Sequence, residues 1–409
     1  MIQFHKPASA HAEHVVSVSG GKDSAATYLV ALERGRPFRA VMADTGNEDP
    51  RTYESAHNLS RYTGGPEVEM VKADFSRQIA GKRVFVAEKW PDLLARGTPG
   101  RWVRAFGTAK AIETVEAPDD DLEEADEPLL NGPGYEPANP EEPCHVPGWK
   151  WVPAVAPMPE RQIHELIARV LAVLHPTGNP FLDLCLWKTR FPSTKVRFCT
   201  EELKIRPMWE QIQFPLMLAG KSIVSWQGVR AAESRVRATL PRWQRLNPPY
   251  GMTPPDGLSW EKLRAYAYRP LLSWSVEDVF AMADKHGVPR NPLYAAGMSR
   301  VGCMPCIHAR KDELRAIAAR FPQHIDRIEE WEAIVRAVAK RGTASFMAVV
   351  SDPLVGRGVS TAQLRDRGDH GIRDMVDWSR TSRGGLQKDM FLDPAVEFGT
   401  SCGEWGACE

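Results

Sequence analysis

Apolar and polar positions along this chain follow two rhythms. Val15-Val16-Ser17-Val18, Phe38-Arg39-Ala40-Val41-Met42-Ala43, Val68-Glu69-Met70-Val71 and Ile223-Val224-Ser225-Trp226-Gln227-Gly228-Val229 are short, mostly apolar runs. Runs of this length, bounded by turn-forming residues, predict strands. Between them the spacing changes. Residues 51–62 place Tyr53, Ala56, Leu59 and Tyr62 near one face, and residues 159–174 do the same with Ile163, Leu166, Ile167, Val170 and Leu174. Both patterns predict helices. Ala25 to Leu32 reads as another helix, directly after a glycine-rich turn. Ser275 reads as an N-cap, with Asp278 at the acidic third position of a capping box. Residues 312–341, rich in Arg, Glu and Ala, predict one or two further helices.

Strands alternating with helices predict an α/β fold, a parallel sheet with helices on both faces. The chain divides into four segments. Residues 1–75 hold the first part of the α/β domain and 161–310 the second. Residues 76–160 read as a large insertion that is partly an acidic loop. It contains the run Asp119-Asp120-Asp121-Leu122-Glu123-Glu124-Ala125-Asp126-Glu127 and a Gly/Pro-rich tract at 132–143. Such a composition buries little surface. Residues 311–409 read as a helical and irregular C-terminal extension, irregular from about residue 350.

Composition narrows the class. The 409 residues are 43% hydrophobic and 25% charged, and 52 basic residues balance 52 acidic ones. That is long enough for a large core and gives no global pull toward nucleic acid. No apolar stretch approaches the roughly 20 residues that cross a bilayer, and the N-terminus lacks a signal-peptide apolar region. The expectation is a cytoplasmic protein with no membrane partner. In a reducing compartment the seven cysteines (144, 185, 199, 303, 306, 402 and 408) point to metal binding or sulfur chemistry before disulfides.

The chemistry begins at Ser19-Gly20-Gly21-Lys22-Asp23-Ser24, a glycine-rich turn between a strand and a helix N-terminus. Such a turn lets backbone N–H groups approach an anion, and the helix dipole favours negative charge there. Its spacing is not that of the Walker-type P-loop. Asp44-Thr45-Gly46 ends the second strand, where a carboxylate can hold a ribose or Mg²⁺, or cap the next helix. Arg230, Ser234 and Arg237, at i, i+4 and i+7, are expected on one helical face suited to phosphate or sulfate oxygens. Gly302-Cys303-Met304-Pro305-Cys306 carries a C-x-x-C, and Cys185 and Cys199 lie upstream. Four thiolates suit a 4Fe–4S cluster or a structural zinc, and C-x-x-C alone also suits a redox pair.

Taken in order, these motifs resemble the phosphoadenosine-phosphosulfate (PAPS) reductase-like branch of the ATP-pyrophosphatase superfamily. The resemblance covers residues 15–75 and 190–308. It rests on the 19–24 loop, Ala43-Asp44-Thr45-Gly46, Phe198-Cys199-Thr200-Glu201-Glu202-Leu203-Lys204 and Gly228-Val229-Arg230 with Glu233-Ser234. It continues with residues 269–279, Asn291-Pro292-Leu293-Tyr294 and Gly302 to Cys306. It implies an adenine nucleotide alpha hydrolase-like fold. It also implies nucleotide contacts from Ser19, Gly20, Gly21, Lys22, Asp23, Ser24 and Asp44, with Lys204, Arg230, Ser234 and Arg237 toward the anionic end.

Two features set the expected activity. The intact 19–24 loop implies ATP cleavage to AMP and pyrophosphate, with Lys22 on the leaving group and Asp23 and Asp44 placing Mg²⁺. The family's iron–sulfur members hold their cluster with an adjacent Cys-Cys pair and a C-x-x-C. Here Phe198 precedes Cys199, so Cys185 supplies the fourth ligand beside Cys199, Cys303 and Cys306, or one iron stays open. The expected enzyme adenylates an acceptor for sulfur transfer, similar to the subunit of DNA phosphorothioation systems and to tRNA thiolases. Nucleic acid is then a candidate acceptor, with Arg235, Arg237, Arg242 and Arg245 as phosphate contacts, and a cysteine desulfurase a candidate sulfur donor. One alternative is a PAPS or adenosine-phosphosulfate (APS) reductase making sulfite with thioredoxin. Cys402, in the partial tail motif Ser401-Cys402-Gly403, would be its nucleophile. Another is a non-catalytic nucleotide-binding subunit of a larger assembly.

Overall fold

The computed structural model describes residues 12–104, 149–152, 154–194, 196–256, 259–260, 262–347 and 371–380. A six-stranded sheet forms the centre, in the order β3-β2-β1-β6-β8-β7. The strands are β1 (Ala12–Val18), β2 (Phe38–Asp44), β3 (Val68–Lys72), β6 (Ser222–Trp226), β7 (Trp243–Arg245) and β8 (Ala265–Tyr268). All neighbours run parallel except β7, which pairs antiparallel with β8. Val16 of β1 pairs with Ala40 on one side and Trp226 on the other.

Strand alternation sends side chains to two cores. Val16, Val18, Met42 and Val224 face a layer that includes helices α1 (Lys22–Glu33) and α2 (Pro50–Thr63) and the helix Val276–Lys285. Val15, Val41, Val71 and Ile223 face Met208, Trp209, Ile212 and Met217. These last four lie on a continuous helix over 198–218 that contains two π turns, Glu201–Ile205 and Trp209–Gln213. Pro207 and Pro215 withdraw two N–H donors from its ladder. The capping box at Ser275 forms as expected, with Ser275 Oγ accepting from the Asp278 N–H and Asp278 accepting from the Ser275 N–H.

A third core belongs to helices alone. It joins α3 (Ser76–Arg96), α4 (Glu160–Val173), α5 (Pro180–Lys188) and the helices Lys311–Arg320, Pro322–Val338 and Ile372–Arg380. Two helices of this core fall where the sequence predicts none. The segment expected as an insertion from residue 76 opens with the 21-residue helix α3, which buries Ile79, Val86, Trp90 and Leu94. Those four sit seven, four and four residues apart around an internal Pro91, so the apolar stripe is sparse in sequence. The tail expected to be irregular contains the helix Ile372–Arg380, burying Ile372, Met375, Val376 and Ser379. β4 (Arg101–Arg104) and β5 (Trp149–Val152) pair antiparallel. The acidic run at 119–127 and the tract at 132–143 lie outside the described residues, as do Cys144, Cys402 and Cys408. Among the described residues no helix is long and apolar enough to cross a membrane.

Candidate functional site

The 19–24 loop leaves the carboxyl end of β1 and opens α1. Gly20 adopts φ +75°, and a Cβ there would stand 2.4 Å from the Thr52 carbonyl oxygen, so this position requires glycine. The loop is stitched internally: the Ser19 N–H donates to Ser24 Oγ (3.1 Å) and Ser24 Oγ donates to the Gly21 carbonyl (3.0 Å). It is also held from outside. Tyr294 Oη accepts from the Lys22 N–H at 2.9 Å, and Asn291 Nδ2 donates to the Gly20 carbonyl at 3.0 Å. The Asn291–Tyr294 segment thus buttresses the loop from 270 residues away.

Asp23 is fully buried, and its carboxylate meets two cations. Arg230 Nε donates to Oδ1 at 2.5 Å, and Lys22 Nζ lies 3.3 Å from Oδ2. Arg230 is itself only 4% exposed. The pair forms because the turn after β6 runs against α1; a Cβ on Gly228 would stand 2.8 Å from the Asp23 backbone. Asp23 therefore orients Arg230 and Lys22. The expected single helical face at 230–237 does not form. Residues Ala231–Glu233 make a 3₁₀ turn, Ser234 is extended, and only Arg235–Ala238 is α-helical. Ser234 Oγ caps that turn by accepting from the Arg237 N–H, and the buried Arg237 guanidinium pairs with Glu233. Backbone capping by Ser234 breaks the i, i+4, i+7 geometry. Lys204 sits half-buried in the first π turn of the 198–218 helix.

The second half of the site follows β2. A cleft of about 620 Å³ opens beyond β2 and β3, lined by Asp44, Glu48, Tyr53, His57, Met70 and Lys72 and bounded by residues 177–180. Tyr53 Oη lies 2.6 Å from Asp44 Oδ1 and 2.8 Å from Glu48 Oε2, so one phenolic proton serves two carboxylates. Burial, then the charges of Glu48 and Asp44, hold the Tyr53 phenol far above its ordinary pKa. Glu48 is buried and also accepts from Thr45 Oγ1. Asp49 is opposed by burial, but hydrogen bonds from Arg51 and His324 outweigh it and lower its pKa to about 2. His324 Nε2 stands 2.7 Å from Asp49 Oδ2, and burial lowers the imidazole pKa.

Cys185 is fully buried on α5, where burial and the nearby Cys199 push its thiol pKa well up. Cys303 stands 3.6 Å from Glu48 Oε1 and 3.5 Å from Thr45 Oγ1, and an antiparallel bridge joins residues 48 and 303. Cys306 Sγ accepts from the His308 N–H. Among the described residues no group of three or more Cys, His, Asp or Glu side chains is placed to hold a metal ion. Cys185 faces the helical core, against which Cys199 and Cys306 also pack, and Cys303 faces the 45–48 loop.

Sequence reasoning passed over Glu48, Tyr53, His324 and Arg327 as site residues. Tyr53 was counted as an apolar helix position. Glu48 carried a usable signal, since it lies four residues after Asp44 in the same polar turn. His324 and Arg327 had none, because they arrive from the C-terminal helices.

A parallel sheet carrying a glycine loop at the carboxyl end of its central strand defines a doubly wound α/β protein with its site at the sheet edge. The family model described as "Phosphoadenosine phosphosulfate reductase domain" matches residues 185–309. An uncharacterised 37.8 kDa protein of Escherichia phage 186 is 40% identical over 398 residues, 97% of this chain and 96% of that protein. The adenosine 5'-phosphosulfate reductase of Allochromatium vinosum is 39% identical over 95 residues, 22% of this chain and 30% of that enzyme. The chain thus spans about a third of the length of such reductases. A phosphoadenylyl-sulfate reductase structure from Candida auris, a phosphate complex, shares 11% identity at a TM-score of 0.32, over 72% of this chain and 82% of that one. The chain belongs to the PAPS reductase-like family.

Proposed function

We propose that the protein is an adenine-nucleotide-dependent enzyme of sulfur transfer that cleaves Mg–ATP to AMP and pyrophosphate. The nucleoside end lies toward the cleft beside Asp44 and Met70, and the phosphates toward the 19–24 loop one strand away. An acceptor oxygen attacks the α-phosphorus and pyrophosphate leaves. Lys22, Arg230 and Lys204 offset charge on the phosphates and leaving group. A hydrosulfide equivalent then attacks the activated carbon of the acceptor, and AMP departs with the C–O bond electrons. Asp23 acts through Arg230 and Lys22, which leaves Asp44 as the carboxylate for ribose or Mg²⁺. The observation that carries this reading is the intact loop, with Lys22 at its rim and Asp23 locked between two cations.

The test is direct. Labelled ATP with the purified chain, sulfide and a nucleic-acid acceptor should yield AMP and pyrophosphate in equal amounts, and Lys22→Met should abolish the release. A second reading, sulfonucleotide reduction, is favoured by the domain match over 185–309. It predicts sulfite from PAPS or APS with thioredoxin, indifference to ATP and dependence on Cys402. Nucleic acid is the proposed acceptor. Arg235, Arg242 and Arg245 are exposed on the β6–β8 side, whereas Arg237 is buried. Salt-dependent binding of RNA or DNA that weakens in an Arg242→Gln, Arg245→Gln double variant supports it. The cysteines are a separate proposal: a 4Fe–4S cluster or zinc would require Cys185, Cys199, Cys303 and Cys306 to converge. Iron, sulfide and zinc analysis of anaerobically purified protein decides it. About four irons and sulfides support the cluster, one zinc a structural site, and neither rejects both.

A further inference from the structure

Arg327 lies on the helix Pro322–Val338, in the C-terminal extension, yet its guanidinium reaches the seam between the 44–49 loop and the cysteine motif. Its Nη2 donates to Asn47 Oδ1 at 2.7 Å and to the Met304 carbonyl at 2.8 Å. Asn47, fully buried, is bound to the same segment twice more. The Met304 N–H donates to the Asn47 carbonyl at 2.8 Å, and Asn47 Nδ2 donates to the Pro305 carbonyl at 3.0 Å. Asn47, Met304 and Arg327 therefore close a ring of hydrogen bonds around the bridge between residues 48 and 303. Glu48, on that bridge, shares Tyr53 with Asp44 at the cleft.

Arg327 is half-buried, and removing a guanidinium from water is costly without compensating hydrogen bonds. Arg327 Nε also has no hydrogen-bond partner among the described residues. The guanidinium is explained by what Nη2 joins.

We propose that Arg327 is a positioning residue that makes the 44–49 loop and the Cys303–Cys306 segment one unit, so that a nucleotide seated at the cleft also orders the cysteine motif. The ring supplies the connection and the extension supplies the residue that closes it. Coupling of this kind lets nucleotide occupancy set the geometry of the segment that carries the sulfur-bearing side chains. The coupling to nucleotide rests on the function proposed above; the ring itself does not.

Hydrogen exchange read by mass spectrometry on the full chain tests it, with Mg–ATP as the probe. Without nucleotide, Arg327→Met should speed exchange about tenfold in peptides covering 45–49 and 303–306 together. Gln323→Ala, an exposed change on the same helix, should leave both unchanged. In the wild type Mg–ATP should slow exchange in both segments. In Arg327→Met it should slow 45–49 and leave 303–306 fast, and Arg327→Lys should restore part of the joint response. A folded Arg327→Met in which ATP still protects both segments equally overturns the proposal. So does unchanged exchange at 303–306, or loosening spread along the whole helix. If Arg327→Met fails to fold, Arg327→Lys carries the same comparison, and full wild-type coupling in it overturns the proposal. ATP protecting neither segment in the wild type defeats the nucleotide reading and the coupling, while the ring is still judged from exchange without nucleotide.

Discussion

The sheet half and the helical half of this protein are built on different economies of burial. In the sheet half, the centres of β1 and β6 are buried, and the buried charges Asp23 and Arg230 stand at the carboxyl edge. There Asp23, Arg230 and Asp44 stand within a few residues of strand ends. In the helical half, buried polar groups are spread through the core and tie elements together. Glu332 accepts from the N–H groups of Phe346 (2.7 Å) and Ile372 (2.9 Å) and so fastens the helix Ile372–Arg380. Its carboxyl pKa is raised by burial. The difference teaches where function can sit. A parallel sheet concentrates its polar termini at one edge, while a helical layer distributes them. The candidate site forms where the edge of the first meets the side chains of the second.

The largest expected effect tests the charged edge. Asp23→Ala leaves Arg230 buried without its carboxylate. A loss of about 3–5 kcal/mol in denaturant unfolding is expected, together with loss of ATP binding. A near-neutral result would mean that Glu233, 3.7 Å from Arg230, suffices as its partner and that the proposed role of Asp23 is wrong. Next comes the helical tie. Glu332→Ala strips two buried N–H groups of their acceptor and should lower stability by roughly 2–3 kcal/mol. ATP affinity should stay within about twofold if the halves are separable, because Glu332 lies away from the edge. A matching collapse of binding would erase the distinction between the halves.

Gly20→Ala sharpens the edge further. The positive φ and the close Thr52 carbonyl together should cost about 1–3 kcal/mol, and calorimetry should show weakened ATP binding. The smallest effect concerns pH. The His324 pKa is lowered in the fold, so below about 6.5 the unfolded chain binds the extra proton and stability falls as pH drops. Asp49 acts lower. Its stabilisation is complete above the unfolded value of 3.8 and is lost as pH falls toward about 2. The melting temperature should therefore drop between pH 7.5 and 5.5. His324→Gln should flatten that slope by on the order of 1–2 °C. An identical slope in the variant would assign the pH dependence to other groups, His14 among them, whose pKa burial also lowers.

Legibility followed the same division. The strands at 15–18, 38–43 and 68–71 were readable because a two-sided buried strand is a plain apolar run. The helices at 50–63, 160–173 and 276–285 were readable from a stripe or a capping box. Helix α3 was not, because its stripe is sparse and crosses Pro91, and neither was Ile372–Arg380, whose neighbours in sequence are Gly, Asp and Arg. At the site, Lys22, Asp23, Asp44 and Arg230 were legible from local motifs. Their partners were not: the 230–237 spacing promised one face, and Ser234 capping divided it.

The sequence by itself determined the strand–glycine loop–helix unit, the α/β class and the family. Each depends on residues adjacent in the chain, where backbone geometry and solvation act locally. Tertiary structure alone decided that Arg230 turns to Asp23 and that His324 and Arg327 close the seam. These are contacts across roughly 200 residues or more, or choices between a partner and water. They are resolved by which charge must be neutralised once burial has removed the solvent.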